Sequence, residues 1–341
     1  MHRYWDTQPV PKVGTKPGEI EERGEVSKKT IKLPEGFSWS QCSIGEAHSF
    51  LNEHYIGNET FRLAYTQDII RWITDDSIAI RKDDTKELVG YISSAPINVR
   101  IEGDIKKMVE INLLCVHRSF RTLGLAPLLI SEIKRRANKK DIWQAVYTAQ
   151  TLIPTPILKS EYWHRLLDVK RLVKVGFHQT NRLRDKFLEV RGPCKFQWRE
   201  MTQGDIPKVS RILQEYTKDY KIAPIIDEAY VRRWILPIHS YVDDNSDNFI
   251  SFYDIPYDRV DQTDTVRQAY RFYLVGDVYN DAFILSKNLG YDVFNTLDVG
   301  VDTKHLENMK FIKGNGYVHY YLFNWALSGS VNSEDIQLIL P

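Results

Sequence analysis

At 341 residues the chain has room for two domains of about 150 to 170 residues, or for one duplicated fold. Its 46 basic and 45 acidic residues leave a formal charge of +1, so no global field favours nucleic acid and any anion site must be local. A 43% hydrophobic and 12% aromatic share excludes a disordered chain, and no stretch approaches the roughly 20 apolar residues of a membrane span.

The first 25 residues are rich in Pro, Gly and Lys (Pro9, Pro11, Gly14, Pro17, Gly18) and read as an extended arm rather than a helix or a signal peptide. Tyr4 and Trp5 on that arm are expected to dock, either on the body or on a ligand. Next come Phe37-Ser38-Trp39 and a helical stretch ending Ile70-Arg71-Trp72-Ile73. About 160 residues later Phe196-Gln197-Trp198 and a stretch ending Arg232-Arg233-Trp234-Ile235 repeat the pattern. The same offset pairs Val89-Gly90-Tyr91-Ile92 and Pro96 with Phe249-Ile250-Ser251-Phe252 and Pro256, each a predicted short strand closed by a turn. A duplication of one α/β unit follows.

Met108 to Val116 has the apolar run of a central strand buried on both faces. Ala126 to Ala137 reads as an amphipathic helix with Leu128, Leu129 and Ile133 inward, and Trp143 to Tyr147 as the next strand. Arg135-Arg136 and Lys139-Lys140 are expected on a solvated face of that helix. In the second copy Asp281 to Leu289, the Gly290 stop and Tyr291 to Leu297 repeat helix, cap and strand. Cys42, Cys115 and Cys194 are widely spaced and form no metal-ligand pattern, which points to a reducing compartment.

Between the strand at Met108 and the helix at Ala126 lies Arg121-x-x-Gly124-x-Ala126. Small residues there let backbone amides approach a ligand, and the helix N-terminus adds partial positive charge, so a pyrophosphate fits. Arg118 and Arg121 add cationic potential. The arrangement is similar to the loop with which GNAT-like acetyltransferases cradle coenzyme A.

The chain as a whole resembles the N-myristoyltransferase family. The resemblance runs through Trp5-Asp6-Thr7-Gln8-Pro9-Val10-Pro11-Lys12, Glu110-Ile111-Asn112, Leu114-Cys115-Val116-His117, Trp143-Gln144-Ala145-Val146-Tyr147-Thr148-Ala149 and Tyr162-Trp163-His164-Arg165. It continues through Asp292-Val293-Phe294-Asn295, Tyr320-Tyr321-Leu322 and Asn324-Trp325. It implies two tandem GNAT-like halves forming a pseudo-symmetric α/β fold with a continuous mixed sheet. The divisions expected are an arm over residues 1–30, an acyl-CoA-binding half over 31–190, and a half over 191–341 that supplies most of the peptide site and the catalytic C-terminus.

The implied activity is transfer of myristate from myristoyl-CoA, a co-substrate, to the N-terminal glycine of proteins, without a metal. By the same resemblance Arg3, Tyr4, Trp5, Cys115, Val116, Thr122, Gly124, Leu125 and Ala126 contact acyl-CoA. The backbone amides of Leu113 and Leu114 hold the thioester oxygen, and the α-carboxylate of Pro341 is the base, with Asn112 and Thr148 positioning or relaying the proton. Phe61, Arg62, Tyr65, Tyr147, Tyr162, His164, Phe177, Tyr273, Asn315 and Gly316 are implied for the peptide groove. His117 and His164 are read as hydrogen-bonded structural groups rather than bases, and Cys115 as a buried, inert thiol.

The sequence departs from the family at several points. Leu123 and Gly124 stand where relatives often carry Lys and Arg, and Leu113 where they usually have Phe. A loop reading Ile56-Gly57-Asn58-Glu59-Thr60 replaces an acidic run, and Gly314-Asn315-Gly316 replaces a Gly-Asp-Gly. The last two changes predict a weaker preference for a basic residue downstream in the peptide. The competing readings are an acyltransferase with another chain length or a lysine acceptor, and an inactive acyl-CoA or lipopeptide-binding module. The expected setting is a cytoplasmic monomer with no nucleic-acid partner.

Overall fold

The structure is a computed structural model that describes residues 4–57, 59–179, 188–261 and 263–341. In chain order the strands are β1 (Phe37–Ser40), β2 (Phe61–Leu63), β3 (Asp76–Lys82), β4 (Leu88–Ile101), β5 (Asp104–Val116), β6 (Gln144–Ala149), β7 (Leu158–Leu166) and β8 (Trp198–Glu200). They continue with β9 (Ile222–Pro224), β10 (His239–Asp243), β11 (Phe249–Asp254), β12 (Tyr257–Arg259), β13 (Thr265–Val266), β14 (Gln268–Val275), β15 (Val293–Leu297) and β16 (Ile312–Phe323). The longer helices are α1 (Ile44–His54), α2 (Gln67–Ile73), α3 (Leu125–Lys139), α4 (Val169–Lys174), α5 (Ile206–Thr217), α6 (Tyr279–Asn288) and α7 (Thr303–Asn308).

One large mixed sheet has the order β1-β3-β4-β5-β6-β16-β7-β15-β14-β11-β10-β8, with β9 added to the far end of β4. Read from either edge the sequence of roles is the same. In each half an antiparallel meander leads to a parallel pair, β5 with β6 and β14 with β15. At the centre the halves exchange a strand, since β16 lies between β6 and β7 and is antiparallel to both. The repeated tryptophans meet across this pseudo-symmetry: Trp72 of α2 packs edge-on against Trp234, ring centroids 5.8 Å apart. A small second sheet, β13-β12-β2, ties Phe61–Leu63 to Tyr257–Arg259.

Local sequence explains the elements that frame the cavity described below. α1 starts at a capping box in which Ser43 accepts from the Glu46 N–H and Glu46 accepts from the Ser43 N–H. α3 buries Leu125, Leu129, Ile133 and Ala137, a stripe at four-residue spacing, against β3, β4 and β5, with Leu128 half-buried. Each fully buried Leu or Ile contributes about 1.5–3 kcal/mol. α6 ends before Gly290, whose φ of +83° suits a residue without a Cβ.

Three local expectations are corrected. β4 does not stop at Pro96 but runs 14 residues through it. β3 is paired with β4 only as far as Ser94 and β9 joins at Val99, so the missing N–H of Pro96 falls on a free stretch of strand edge. Of the basic run on α3, Lys139 and Lys140 are exposed but Arg135 and Arg136 are not on a solvated face. Arg135 is buried and forks onto Glu132, itself fully buried, at 2.8 and 2.6 Å, while Arg136 reaches Asp76 at 2.8 Å and Lys140 reaches it at 3.3 Å. These pairs fasten the helix to β3 and to the arm, because Glu132 also accepts from the Ile31 N–H at 3.1 Å. Finally, the strand at Met108 begins four residues earlier, at Asp104, and carries two buried polar side chains, Glu110 and Asn112.

Beyond a single turn at Trp5–Thr7 the arm is extended, and it is docked on the body. The Asn324 N–H donates to Pro9 O at 2.7 Å, Gly18 and Ala326 exchange backbone bonds, and Val10 is 2% exposed. Among the described residues no helix is long and apolar enough to cross a membrane.

Candidate active site

A cavity of about 1250 Å³ passes through the centre of the large sheet and opens on both halves. Its origin is the divergence of two strands. β5 and β6 pair only from Met108 to Glu110, against Gln144 to Val146, and then separate into a wedge. Within the wedge β5 is bulged: Tyr91 of β4 faces Cys115 and Ser93 faces Asn112, so Leu113 and Leu114 together stand opposite the single Ile92. Leu113 takes a φ of +54°, a conformation that costs a non-glycine residue about 1–2 kcal/mol. The bulge takes Leu113 and Leu114 out of one-to-one pairing at the point where β6 has left, and both residues line the cavity.

On one side of the bulge the walls are apolar: Ile111, Ala126, Ile130, Ile133, Ala137 and Ile142 from β5, α3 and the turn into β6, with Phe323 of β16. Tyr4 and Trp5 of the arm close this part. Tyr4 Oη lies 3.3 Å from Ser131 Oγ, and Trp5 stacks on Tyr147, which in turn stacks on Tyr321. The Tyr147 hydroxyl is buried and has no partner among the described residues. The arm aromatics therefore dock on the body and on the cavity at once.

On the other side the walls are aromatic and draw on residues from both sides of position 190: Tyr55, Phe61, Tyr65, Tyr162, His164 and Phe177 with Tyr257, Gln268, Tyr270 and Lys313 to Gly316. Phe61 stacks on Tyr257 at 5.0 Å, and Phe177 meets His164 edge-on at 6.3 Å. His164 Nδ1 is 2.7 Å from Asn295 Oδ1; burial pushes its pKa below the usual histidine value, with the Asn295 contact opposing, so the ring stays neutral near pH 7. Gly314 is required beside it, because a Cβ there would lie 2.4 Å from His164 Nε2.

Leu340 and Pro341 reach the cavity from below. The segment before them is anchored, with Ile336, Gln337 and Leu338 at most 2% exposed and the Gln337 N–H donating to Ile222 O at 2.9 Å. Asn112 and Thr148 line the same space. The Asn112 amide donates to Ile73 O at 3.1 Å. Glu110, two residues before Asn112 and on the same face of β5, is 2% exposed and has one carboxyl oxygen without a partner. Burial pushes its carboxyl up to about 8, against the opposing effects of a bond to Asn112 and the charge of Arg233.

Sixteen of the sequence-predicted residues thus border one cavity: Tyr4, Trp5, Phe61, Tyr65, Asn112, Leu113, Leu114, Ala126, Tyr147, Thr148, Tyr162, His164, Phe177, Asn315, Gly316 and Pro341. The others sit elsewhere. Arg3 lies outside the described residues. Arg118 and Thr122 lie on an exposed 3₁₀ segment, Arg118–Leu123, at the end of β5, and Gly124, which follows it with φ +70°, caps α3. Arg121, in the same loop, is spent on backbone: its guanidinium donates to Val116 O at 3.3 Å and His54 O at 2.7 Å. Leu125 and Val116 are buried in the packing of α3. The Cys115 thiol is buried and pushed up to about 12, which leaves it protonated and inert. Arg62 is on β2 beside the cavity and donates to Asn52 O at 3.5 Å.

Tyr273 was expected in the groove and is found in the core instead. It is 1% exposed, with its hydroxyl 3.0 Å from Tyr230 Oη. A bulge in β14 between Arg271 and Tyr273 resets the side-chain alternation, so Tyr273 faces the same core as Tyr270 but is covered there by Tyr216, Tyr230 and Phe272. Sequence reasoning missed Tyr270, Tyr257, Gly176 and Lys313. Gly314, adjacent to the Asn315-Gly316 already singled out, was the one signal available for the last of these. Among the described residues no group of three or more His, Cys, Asp or Glu is placed to hold a metal ion.

Comparison with known proteins bears on the whole chain. The sequence profile of the myristoyl-CoA:protein N-myristoyltransferase N-terminal domain matches residues 18–160, and that of its C-terminal domain matches 178–338. Glycylpeptide N-tetradecanoyltransferase 2 of Bos taurus is 37% identical over 99% of this chain and 76% of its own length. Glycylpeptide N-tetradecanoyltransferase 1 of Arabidopsis thaliana is 32% identical over 99% and 89%. A crystal structure of Saccharomyces cerevisiae N-myristoyltransferase with bound myristoyl-CoA superimposes with a TM-score of 0.89 at 28% identity, covering 100% of this chain and 95% of that one.

Proposed function

Because the chain belongs to the myristoyl-CoA:protein N-myristoyltransferase family, we propose that the wedge between β5 and β6 is where its transfer chemistry occurs and that the α-carboxylate of Pro341 is the base. The reaction itself moves myristate from myristoyl-CoA to the N-terminal glycine of a protein, forming an amide and releasing coenzyme A. The apolar side of the cavity fits a long acyl chain. The buried, unpartnered Tyr147 hydroxyl beside it fits a ligand with a polar group.

In this reading the glycine amine attacks the thioester carbonyl carbon. The C–N bond forms and negative charge gathers on the carbonyl oxygen, next to the Leu113 and Leu114 amides at the bulge. The C–S bond then breaks and coenzyme A leaves as the thiolate. The attacking amine sheds one proton beforehand, since its ammonium form has a pKa near 7.7–8.0 and no lone pair. The carboxylate at Pro341 takes it and releases it to solvent, with Asn112 and Thr148 holding the amine in line; after attack the nitrogen loses a second proton, which ends on the coenzyme A thiolate as the amide forms. His164, neutral and fixed by Asn295, is a wall of the groove and not a base.

In the division of labour that goes with this reading, the arm over residues 1–30 covers the acyl-CoA and residues 31–190 hold it. Residues 191–341 supply the Gly314 loop and the catalytic C-terminus. The setting is a cytoplasmic monomer; the free thiols Cys42, Cys115 and Cys194 fit a reducing compartment.

A single observation carries the proposal: one continuous cavity connects an apolar slot, the bulge at Leu113 and Leu114, the chain's last residue and an aromatic groove. The test is mass spectrometry of a Gly-starting octapeptide incubated with a mixture of acyl-CoAs. Each buried methylene is worth about 0.8 kcal/mol, so the C14 product should exceed the acetyl product by orders of magnitude. Equal use of acetyl-CoA overturns the reading of the slot, and acylation of lysine alone overturns the acceptor.

A further inference from the structure

We infer that the aromatic end of the cavity selects peptides with an acidic side chain downstream of the glycine, and that Lys313 reads it; this rests on the acyl transfer proposed above. Among the described residues that line the cavity, the side chains with formal charge are Lys134 and Lys313, and none is Asp or Glu. Lys134 belongs to the apolar end, where it bonds Glu21 of the arm at 3.2 Å and lies 5.1 Å over the Phe323 ring. Lys313 stands at the rim of the peptide end, with its side chain 54% exposed. The following residue fixes its place: Gly314 is pressed against His164, so the backbone of β16 has no room to carry Lys313 elsewhere.

Four acids near this rim are already engaged, and Glu59 stays exposed in the loop before Phe61. Glu161 contacts the Lys313 ammonium and also faces Lys159 at 3.5 Å, and its carboxyl is held below the usual range, chiefly by Lys313. One carboxylate therefore serves two ammonium groups. Asp298 is buried and accepts from the Ser160 hydroxyl at 2.5 Å and the Glu161 N–H at 3.1 Å. On the small sheet under Phe61, Asp258 accepts from the Thr265 hydroxyl at 2.6 Å and Asp261 is gripped by Arg259 at 2.9 Å. An ammonium has three donors, so Lys313 can hold Glu161 and still receive a peptide carboxylate. A peptide lysine would meet a like charge at Lys313, and among the described residues no Asp or Glu side chain lines the cavity to offset it, which sets the preference by repulsion as well as attraction.

The experiment uses myristoyl-CoA and an alanine-rich Gly-starting peptide in which each downstream position is in turn Asp, Ala or Lys. At one or more positions kcat/KM should run Asp above Ala above Lys, with an Asp-to-Lys ratio of about tenfold at low salt, mostly through KM, and a smaller ratio at high salt. Lys313→Gln should flatten the order at that position and Lys313→Glu should invert it. Lys peptides matching or exceeding Asp peptides at every position overturn the inference, as does a ratio untouched by Lys313→Glu. Binding of the same peptides, followed by fluorescence with a non-transferable acyl-CoA analogue, gives the order without turnover. Failure of the alanine peptide to be acylated therefore counts against the transfer reading alone, and the charge order is judged separately.

Discussion

Gly300→Ala should disable the enzyme from a distance. Gly300 follows β15 at φ +66° and donates its N–H to Ser333 O at 2.8 Å, just under the C-terminal segment. A Cβ there would lie 2.0 Å from Gln337 Oε1 and 3.1 Å from Ile336 O. Ordinary contact begins at 3.4 Å, so the Gln337 amide must move by roughly 3.4 − 2.0 = 1.4 Å and the Ile336 carbonyl by roughly 3.4 − 3.1 = 0.3 Å; Gln337 is fully buried and cannot swing into solvent, so the segment shifts with it. The left-handed backbone adds about 1–2 kcal/mol of strain. A displacement of about 1 Å in reacting groups can cost about 10²-fold in rate. The expected result is a kcat lower by about 10–100-fold, a peptide KM within a few-fold of the parent, an unchanged affinity for myristoyl-CoA, and a urea midpoint lowered with the m-value kept. Adding Gln337→Ala removes the clash but not the strain, so it should restore much of kcat and only part of the stability. Thiol detection of released coenzyme A measures the first quantity. A folded Gly300→Ala protein with reduced stability and parental kcat would refute the idea that this segment places the base.

Two more predictions concern protons. Deleting Pro341 withdraws the carboxylate by up to roughly 3.5 Å, and adding one Gly turns it into an amide. Either change should lower kcat by about 10²–10⁴-fold, whereas Pro341→Leu, which keeps the carboxylate, should be mild; a tagged C-terminus with intact kcat would point to another base. Glu110 is raised to about 8 by burial, so in the range between the unfolded value near 4.3 and that pKa the folded state holds a proton the unfolded chain has lost. Stability is then fully present below the unfolded value and falls as pH rises through the folded one. Glu110→Gln should flatten that fall, and denaturant midpoints at pH 5 and pH 8 that shift in parallel for both proteins would exclude it.

Much of the site was legible because it is local. The strand at Met108 and the helix at Ala126 are close in the chain, and period and composition suffice to order them, whereas the Arg121-x-x-Gly124 stretch between them borders no part of the cavity. The duplication was legible too, through Trp72 and Trp234, although nothing in the sequence says that these two rings touch. What escaped was set by long-range pairing. The bulge at Leu113 is set by the pairing with β4 across Ile92, and the place of β16 between β6 and β7 depends on pairs such as Ile312 with His164 and Phe323 with Ala145, far apart in the chain. Arg135 looked solvated because its partner Glu132 reads as surface; burying both is decided by the arm folding over them. Tyr273 was misplaced because Tyr216 and Tyr230, more than forty residues away in the chain, fold over it beyond a bulge in β14 that its own sequence does not announce.

The exchanged strand also has a history in time. A chain emerging from the ribosome completes β6 and β7 well over a hundred residues before β16 appears. Until then the two stand with a missing neighbour between them, offering open hydrogen-bonding edges to any other strand within reach. The first half therefore cannot close its sheet during its own synthesis, and it is exposed to mispairing and to chaperones for as long as the second half takes to arrive. Translation speed through residues 191 to 311 becomes a variable in the yield of active enzyme, although no residue of the central cavity need change.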